Sequence, residues 1–212
     1  MHQRYGLISP MKIVLASNNR GKLAELQSMF APLGVELICQ ADLFEGEAPE
    51  PYGTFVENAL SKARFAAEKT GLPAIADDAG LCVDAFGGLP GVDTAYYCTH
   101  YGYEKSDDNN VTCLLENLAP HANRKAAMVS TLVGVRSPKD PEPLIAVGRV
   151  SVEIATERRG SNGFGFDPVL IIPELGKTFA EMAPEFKNDH SHRGRSTRAM
   201  MELLRTTWLS AS

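Results

Sequence analysis

Two long runs rich in β-branched residues most constrain how this chain can fold. Ala126–Arg136 and Leu144–Ile154 are joined by the turn sequence SPKDPEP. Strand-forming runs with proline and charged residues between them are typical of consecutive strands in a hairpin. The pattern predicts a long antiparallel hairpin with a proline-stiffened connection, so the fold must contain a sheet with antiparallel pairing.

The patterned part of the chain begins with a different kind of unit. Lys12–Ala16 reads KIVLA, a short apolar run that suits a buried strand, and the polar turn SNNRG follows it directly. Leu23, Leu26 and Phe30 then recur at helical spacing, which predicts a helix over Lys22–Phe30. A strand–loop–helix unit combined with a later hairpin indicates an α/β or α+β protein with a mixed sheet. In such sheets the loops that follow strands often bind ligands.

Shorter patterns predict the remaining elements. Thr54 with Glu57 three residues later fits a capping box, and the alanine-rich stretch that follows ends at Gly71, a residue type that often terminates helices. Residues 87–110 are rich in Gly, Asp, Asn and Tyr and are predicted to be mostly loop. The other predicted elements are strands at Val35–Cys39, Leu72–Ala76 and Val169–Ile172, and helices at Asn110–Leu118 and Ser196–Trp208.

Composition limits the class of protein. A chain of 212 residues with 44% hydrophobic residues favours a single domain with a packed core. We assign residues 11–212 to that domain and residues 1–10 to an N-terminal extension. The net charge of −5 argues against broad binding to nucleic-acid polymers or membrane surfaces. Without a long apolar run or a C-x-x-C pair among the four cysteines, we expect a cytoplasmic protein with free thiols.

The loop after the first predicted strand can bind an anion. Its residues are Ser17, Asn18, Asn19, Arg20, Gly21 and Lys22. Backbone N–H groups at a helix N-terminus, with Lys22 as a nearby charge, suit a phosphate group. The sequence is not a P-loop, because Ala16 stands where the first glycine should be and Leu23 where Ser or Thr should bind magnesium. Taken alone, the loop is also compatible with an ordinary polar turn.

Acidic residues form a second candidate site. Glu50 lies in the irregular segment APEPYG, and Asp77 and Asp78 follow the predicted strand Leu72–Ala76. Because adjacent strand residues point to opposite faces, we expect at most one of the two aspartates to enter a given site. A carboxylate at an exposed strand end suits a hard cation such as Mg²⁺, with Glu50 as its partner. A solvated Asp-Asp turn is the alternative.

A glycine-rich loop later in the chain carries two aromatic rings. It reads Gly163-Phe164-Gly165-Phe166-Asp167, and Pro168 after it rules out the dinucleotide fingerprint, which requires a glycine there. The rings could stack on a nucleobase whose N–H the carboxylate accepts. A core phenylalanine beside a turn aspartate is the alternative.

The segment KNDHSHRGR is basic although the protein is acidic. Lys187, Arg193 and two further arginines lie close together, interleaved with hydroxyl and imidazole donors. This composition suits a phosphate chain or a base carbonyl. His190 and His192 could chelate a transition metal but have no third ligand nearby. A solvated helix start is the remaining alternative.

Together these segments supply the parts of a nucleoside triphosphate site, and the chain resembles the inosine triphosphate pyrophosphatase family, the house-cleaning XTP/dITP diphosphatases. The similarity covers residues 11–206. Its motifs, in the family's order, are SNNRGKLAEL, TFVENALSKA with its preceding glutamate, AIADDAGLCVDA with GGLPG, and GFGFDP with KNDHSHRG.

The resemblance implies an elongated, two-lobed α/β fold with a long mixed sheet flanked by helices, usually in a homodimer. It implies Mg²⁺-dependent hydrolysis of ITP, dITP and XTP to the monophosphate and pyrophosphate. Asp78 would be the catalytic proton acceptor and, with Glu50, a ligand of Mg²⁺. The implied substrate-binding residues are Ser17, Asn18, Asn19, Arg20, Gly21, Lys22, Lys62, Ala79, Phe164, Gly165, Phe166, Asp167, Lys187, His192 and Arg193.

Two positions depart from the family pattern. Ala79 replaces the usual serine, and the segment 95–99 reads AYYCT where the family usually has ARYSG, so an arginine and a serine are missing. These changes bear on affinity and rate more than on the reaction class. One alternative is a septum-formation-inhibitor-like pyrophosphatase acting on pyrimidine or modified nucleotides, although its opening loop typically reads S-x-S-P-R-R. The other is a nucleotide-binding sensor without turnover.

Overall fold

The computed structural model describes residues 10–210, and this part of the chain contains a seven-stranded sheet. The strands are β1 (Lys12–Leu15), β2 (Glu36–Cys39), β3 (Ala74–Val83), β4 (Lys125–Val135), β5 (Leu144–Ile154), β6 (Leu170–Ile172) and β7 (Lys177–Thr178). The α-helices are α1 (Arg20–Phe30), α2 (Phe55–Thr70), α3 (Asp107–Leu118), α4 (Pro184–His190) and α5 (His192–Leu203). Residues 1–9 of the predicted N-terminal extension lie outside the described residues.

The sheet joins a parallel unit to an antiparallel one. Its strand order is β2-β1-β3-β4-β5-β6-β7. Strand β1 runs parallel to β2 and β3, and each later pair is antiparallel. Strands β4 and β5 form the predicted long hairpin, with Lys125 opposite Glu153 at one end and Gly134 opposite Leu144 at the other. The mixed sheet flanked by helices confirms the predicted α/β fold class.

Helices cover both faces of the parallel end of the sheet. Ile13 and Leu15 of β1 pack on one face with Leu26 of α1 and Met200 of α5. Helix α2 covers the other face with buried alanines, whose small side chains let it lie close to the strands. A separate apolar cluster surrounds the far ends of β3–β5 together with α3. The polar residues described below lie between these apolar regions.

Strand β3 is longer than the predicted strand Leu72–Ala76. Strand β4 pairs with all of β3, from Ala74 to Val83, whereas the parallel pairing with β1 ends at Ile75. The prediction that Asp77 and Asp78 lie at a strand end is therefore wrong, and both lie within β3. The two aspartates interrupt the apolar pattern, but a distant strand supplies the hydrogen bonds that continue the element.

Other element boundaries also differ from the predictions. Helix α3 begins at Asp107 instead of Asn110, and α5 begins at His192 instead of Ser196. Helix α4 was not predicted, and a run of 3₁₀ turns occupies Gly91–Tyr101 within the predicted loop 87–110. The last predicted helix ends in a π-helical turn at Leu204–Trp208. The early helix starts have a local cause. The Ser106 hydroxyl accepts the N–H of Asn109, and that of Ser191 accepts the N–H of Gly194. Such caps begin a helix before its apolar pattern does.

Close backbone approach sets the position of α5. A Cβ atom at Gly148 of β5 would overlap the carbonyl oxygen of His192, and a Cβ atom at Gly194 would overlap the carbonyl of Asn188 in α4. Glycine at these positions lets the first turn of α5 lie directly against β5 and α4. His192 and Arg193 are consequently buried, so the alternative of a solvated helix start does not hold.

No helix in the described part of the chain is long and apolar enough to cross a membrane. All four cysteines are free, as predicted. Cys39, Cys98 and Cys113 are buried, and Cys82 is partly buried.

The packing of α5 on β5 gives a test of the fold. We expect Gly148→Ala to lower the free energy of unfolding by about 1–3 kcal/mol, because the added methyl group overlaps the backbone of α5. Gly53→Ala is the matched control, since a Cβ there meets nothing within 4 Å, and it should change stability by less than about 0.5 kcal/mol. Urea unfolding measures both values. Equal effects of the two substitutions would contradict the close approach.

Candidate functional site

A cleft opens where β1 ends. Because β1 ends at Leu15 and its pairing with β3 ends at Ile75, the next part of β3 has an open edge on that side, up to Leu81, whose N–H bonds to Thr94. The cleft extends around this edge, and both Asp77 and Asp78 line it although their side chains leave opposite faces of the strand. The expectation that at most one of them enters a site is therefore wrong.

Most of the predicted site residues line this cleft. They are Ser17, Asn18, Asn19, Lys22, Glu50, Lys62, Asp78, Ala79, Phe164, Gly165, Phe166, Asp167, Lys187, His192 and Arg193. Arg20 is exposed at the start of α1 and does not line the cleft. Gly21 packs against the Phe164 ring, where an added Cβ would lie 3.0 Å from a ring carbon. Gly21 thus makes room for the ring rather than lining the cleft.

The loop after β1 is held by its own side chains. Ser17 Oγ accepts the N–H of Asn19 at 3.1 Å, and Asn19, the N-cap of α1, accepts the N–H of Lys22 at 3.0 Å. Asn18 donates to Glu47 at 2.9 Å, which ties the loop to the irregular segment before α2. The first turn of α1 contains no acidic residue, so the positive end of its dipole is available to an anion in the cleft.

Lys62 of α2 lies between two carboxylates. Its Nζ is 2.9 Å from Glu50 Oε2 and 3.0 Å from Asp78 Oδ1. Burial alone lowers the pKa of Lys62, but the charges of Asp78 and Glu50 outweigh it and raise that pKa. Burial raises the pKa of Asp78 despite the nearby Lys62 charge. Asp78 Oδ2 is buried and has no hydrogen-bond partner among the described residues, so this oxygen is available to a proton or a cation.

Asp77 lies on the opposite face of β3 and is fully paired. Its Oδ2 is 3.0 Å from Lys22 Nζ and 3.3 Å from an amino nitrogen of Arg193, while its Oδ1 accepts the Ser130 hydroxyl at 2.7 Å. Burial alone raises the pKa of Asp77, but the charges of Lys22 and Arg193 outweigh it and hold that pKa well below its usual range. Asp77 is therefore a permanent anion between two cations.

The pairing continues to the aromatic loop. Glu25 of α1 accepts from Arg193 at 2.7 Å and from Lys187 at 2.9 Å, and Lys187 also lies 2.7 Å from Asp167. Asp167 in turn accepts the N–H of Phe164 at 2.9 Å. We call this alternating series the charge ladder; its members are Lys22, Asp77, Arg193, Glu25, Lys187 and Asp167. It connects the loop after β1 with the aromatic loop.

The two phenylalanines of the aromatic loop have different environments. Phe166 is 5% exposed and belongs to the apolar core, whereas Phe164 is half-buried. Lys187 Nζ lies 4.9 Å from the centre of the Phe164 ring and Arg193 Cζ 5.6 Å, both within cation–π range. The stacking interpretation thus suits Phe164, and the alternative of a core phenylalanine suits Phe166.

His192 is buried at the base of the cleft. Both of its ring nitrogens lack a hydrogen-bond partner in the described structure, and the ring stacks on Phe179 at 6.0 Å. Burial, followed by the charge of Arg193, holds the pKa of His192 well below 6.5, so the imidazole is neutral. The described residues contain no group of three or more His, Cys, Asp or Glu able to hold a metal.

The two departures from the family pattern also lie at the cleft. Ala79 pairs with Ser130 across the β3–β4 ladder, and the Ser130 hydroxyl is bonded to Asp77. Tyr96, at the usual arginine position, lines the cleft and carries Lys105 Nζ 3.7 Å from its ring centre. A cation therefore remains near this position although the arginine is absent.

The sequence interpretation missed Glu25 and the role of Asp77. A signal for Glu25 existed, because it follows Lys22 by three residues and so shares a face of α1 with it. No local signal linked Asp77 to Arg193, since that contact joins β3 to a helix far along the chain.

Fold and cleft together define an α/β protein that can hold a phosphate-bearing ligand with an aromatic ring. The model of the Ham1 family matches residues 13–203. A protein of Delftia acidovorans named dITP/XTP pyrophosphatase is 78% identical over 199 residues, which covers 94% of this chain and 100% of that protein. One of the same name from Paracidovorax citrulli is 74% identical, covering 93% of this chain and 100% of that protein.

A solved structure of a similar protein has the same fold. A HAM1 protein from Coxiella burnetii matches with a TM-score of 0.86 and 39% identity, covering 93% of this chain and 100% of that one. The chain belongs to the Ham1 family. The family resemblance that the sequence motifs carry is thereby confirmed.

The buried neutral His192 predicts a pH dependence of stability. Its pKa in the folded state lies below that in the unfolded state, so the unfolded state binds a proton that the folded state does not. The stability present above pH 6.5 is therefore lost as the pH falls below it, by up to about 1.4 kcal/mol per pH unit from this group. The charged groups that act on the His192 ring are Arg193, Asp77, Lys187 and Lys22.

Denaturant unfolding at pH 7.5, 6.5 and 5.5 measures this slope. In His192→Phe, which can still stack on Phe179, the slope below pH 6.5 should become shallower by that amount. An unchanged slope in the variant would show that His192 does not carry the effect.

Proposed function

We propose that this chain hydrolyses the triphosphates of deaminated purines, dITP, ITP and XTP, to the monophosphate and pyrophosphate with the help of Mg²⁺. Membership of the Ham1 family and high identity to proteins named dITP/XTP pyrophosphatase support the proposal. The observation that carries it is the content of the cleft. Lys22, Lys62 and Asp78, one of whose oxygens has no partner among the described residues, line it together with the Phe164 ring, which lies near two cations. These groups suit a ligand with phosphates at one end and an aromatic base at the other.

Glu50 and Asp78 fit a magnesium ion that shares its coordination with phosphate. Asp78 offers a buried oxygen without a partner in the described structure, and Lys62 holds Glu50 near it. Mg²⁺ is commonly bound by one or two carboxylates, with waters and substrate phosphates as its other ligands, so a site with two protein ligands suits it. Bound there, the ion would neutralise charge on the phosphate oxygens.

Amino-acid side chains perform the remaining steps of the proposed mechanism. Lys22 and Lys62 hold the phosphate chain and stabilise the charge that develops on the departing pyrophosphate. Asp78 accepts the proton of the water that attacks the α-phosphorus. No covalent nucleophile is required, because phosphoryl transfer depends mainly on positioning and electrostatic stabilisation.

Base selectivity follows from the groups that face the purine. Hypoxanthine and xanthine present an acceptor at O6 and a donor at N1–H, and adenine presents the reverse pair. A neutral His192 has one donor and one acceptor nitrogen, and Arg193 adds further donors. These donors match O6 and would oppose the amino group of adenine. Mismatched polar groups in such a site can discriminate by about 10⁴-fold.

The homodimer that the family resemblance implies and the cytoplasmic location that the sequence composition indicates stay predictions. Sedimentation of the purified chain tests the first of them, with a dimer expected at micromolar concentration.

A substrate panel tests the proposed function. With Mg²⁺, pyrophosphate release should be fast with dITP, ITP and XTP and slower by up to about 10⁴-fold with ATP. A preference for dTTP would instead favour a septum-formation-inhibitor-like enzyme. Tight binding of dITP without pyrophosphate release would favour a nucleotide sensor, and either result would contradict the proposal.

Asp78 gives a second test. Asp78→Asn should lower the turnover of dITP by about 10²–10⁴-fold, because the amide cannot accept the water's proton. Circular dichroism should show an unchanged fold. Asp84→Asn, at an exposed residue just beyond β3, is the control and should retain turnover. Near-normal turnover of Asp78→Asn would refute the role assigned to Asp78.

A further inference from the structure

Asp77 contacts two basic side chains that would bind opposite ends of the proposed substrate. Lys22, from the loop that would bind phosphate, and Arg193, beside the aromatic ring that would bind the base, both lie against the same oxygen, Oδ2. The side chain of Asp77 has no exposed surface. A shift of either cation therefore changes the pairing of the other.

The other oxygen of Asp77 is anchored by a chain of two hydrogen bonds. Ser130 donates its hydroxyl proton to Oδ1 at 2.7 Å, so Ser196 is the donor in the 2.8 Å contact between the two serine hydroxyls. Both serines are fully buried. These two hydrogen bonds therefore tie the carboxylate of β3 to Ser196 of α5.

We propose that Asp77 is a positioning residue that couples phosphate binding to base recognition by holding Lys22 and Arg193 on one fixed carboxylate. Neither a metal-ligand nor a proton-acceptor role suits Asp77, because both of its oxygens are already occupied by donors from the chain. The proposal rests on the proposed function, since that function makes Lys22 a phosphate ligand and Arg193 a base ligand.

Whether removal of Asp77 strengthens or weakens anion binding distinguishes a positioning role from a purely electrostatic one. If Asp77 acted only through its negative charge, its removal would strengthen the binding of an anion in the cleft. If Asp77 positions Lys22, its removal weakens anion binding although the cleft becomes more positive. Inorganic triphosphate, which has no base, reports on the phosphate end, and the preference for dIMP over dAMP reports on the base end.

Calorimetric titration of the full chain and of Asp77→Asn tests the proposal. We expect the variant to bind inorganic triphosphate about 5- to 100-fold more weakly and to lose a similar factor in its preference for dIMP over dAMP. Stronger triphosphate binding, or a change at one end only, would overturn the proposal. Failure of the unaltered chain to bind either ligand would instead overturn the proposed function.

Two further variants separate this role from a loss of stability. Ser130→Ala keeps the charge of Asp77 and releases its anchor, and it should shift both readouts in the same directions by about two- to tenfold. It also keeps the proposal testable if Asp77→Asn does not fold. Asp140→Asn alters another buried carboxylate, paired with Arg136 in the β4–β5 turn, and should leave both readouts unchanged. Unchanged readouts in Ser130→Ala would overturn the proposal.

Discussion

Three cations alternate with three carboxylates along the charge ladder. The architecture around the cleft depends on each of these six charges having an oppositely charged partner. Breaking a buried ion pair by removing one partner costs about 3–5 kcal/mol, because it leaves an uncompensated charge out of water. The ladder draws its members from α1, β3, α4, α5 and the aromatic loop. These elements must therefore meet closely. The glycines at 148 and 194 allow this, since a larger residue at either position would separate α5 from its neighbours.

The ladder also fixes cations at defined positions in the cleft of an acidic chain. Its three cations and three carboxylates cancel, so the net charge of −5 belongs to the rest of the chain. Lys22 and Arg193 share Asp77, which fixes where these cations stand. On the opposite face of β3, Asp78 keeps one oxygen without a partner in the described residues. Two adjacent aspartates thus have different partners because they project from opposite faces of one strand.

Features encoded by local pattern were predictable from the sequence, and features created by distant contacts were not. The hairpin of β4 and β5, the first βα unit and the cap of α2 at Thr54 all depend on neighbouring residues. The length of β3 depends on pairing with β4, and the burial of Arg193 depends on the packing of α5 against β5. The motifs identified many of the residues that line the cleft. They did not show that Asp77 joins two of them, because that contact exists only in the folded chain.

The central claim is that one cleft holds the base and the phosphates of a single nucleotide at opposite ends of the charge ladder. A crystal structure with α,β-imido-dITP tests it most directly. We expect the purine against the Phe164 ring and the phosphates within hydrogen-bond distance of Lys22 and Lys62. A purine bound away from Phe164, or phosphates that contact neither lysine, would contradict the account.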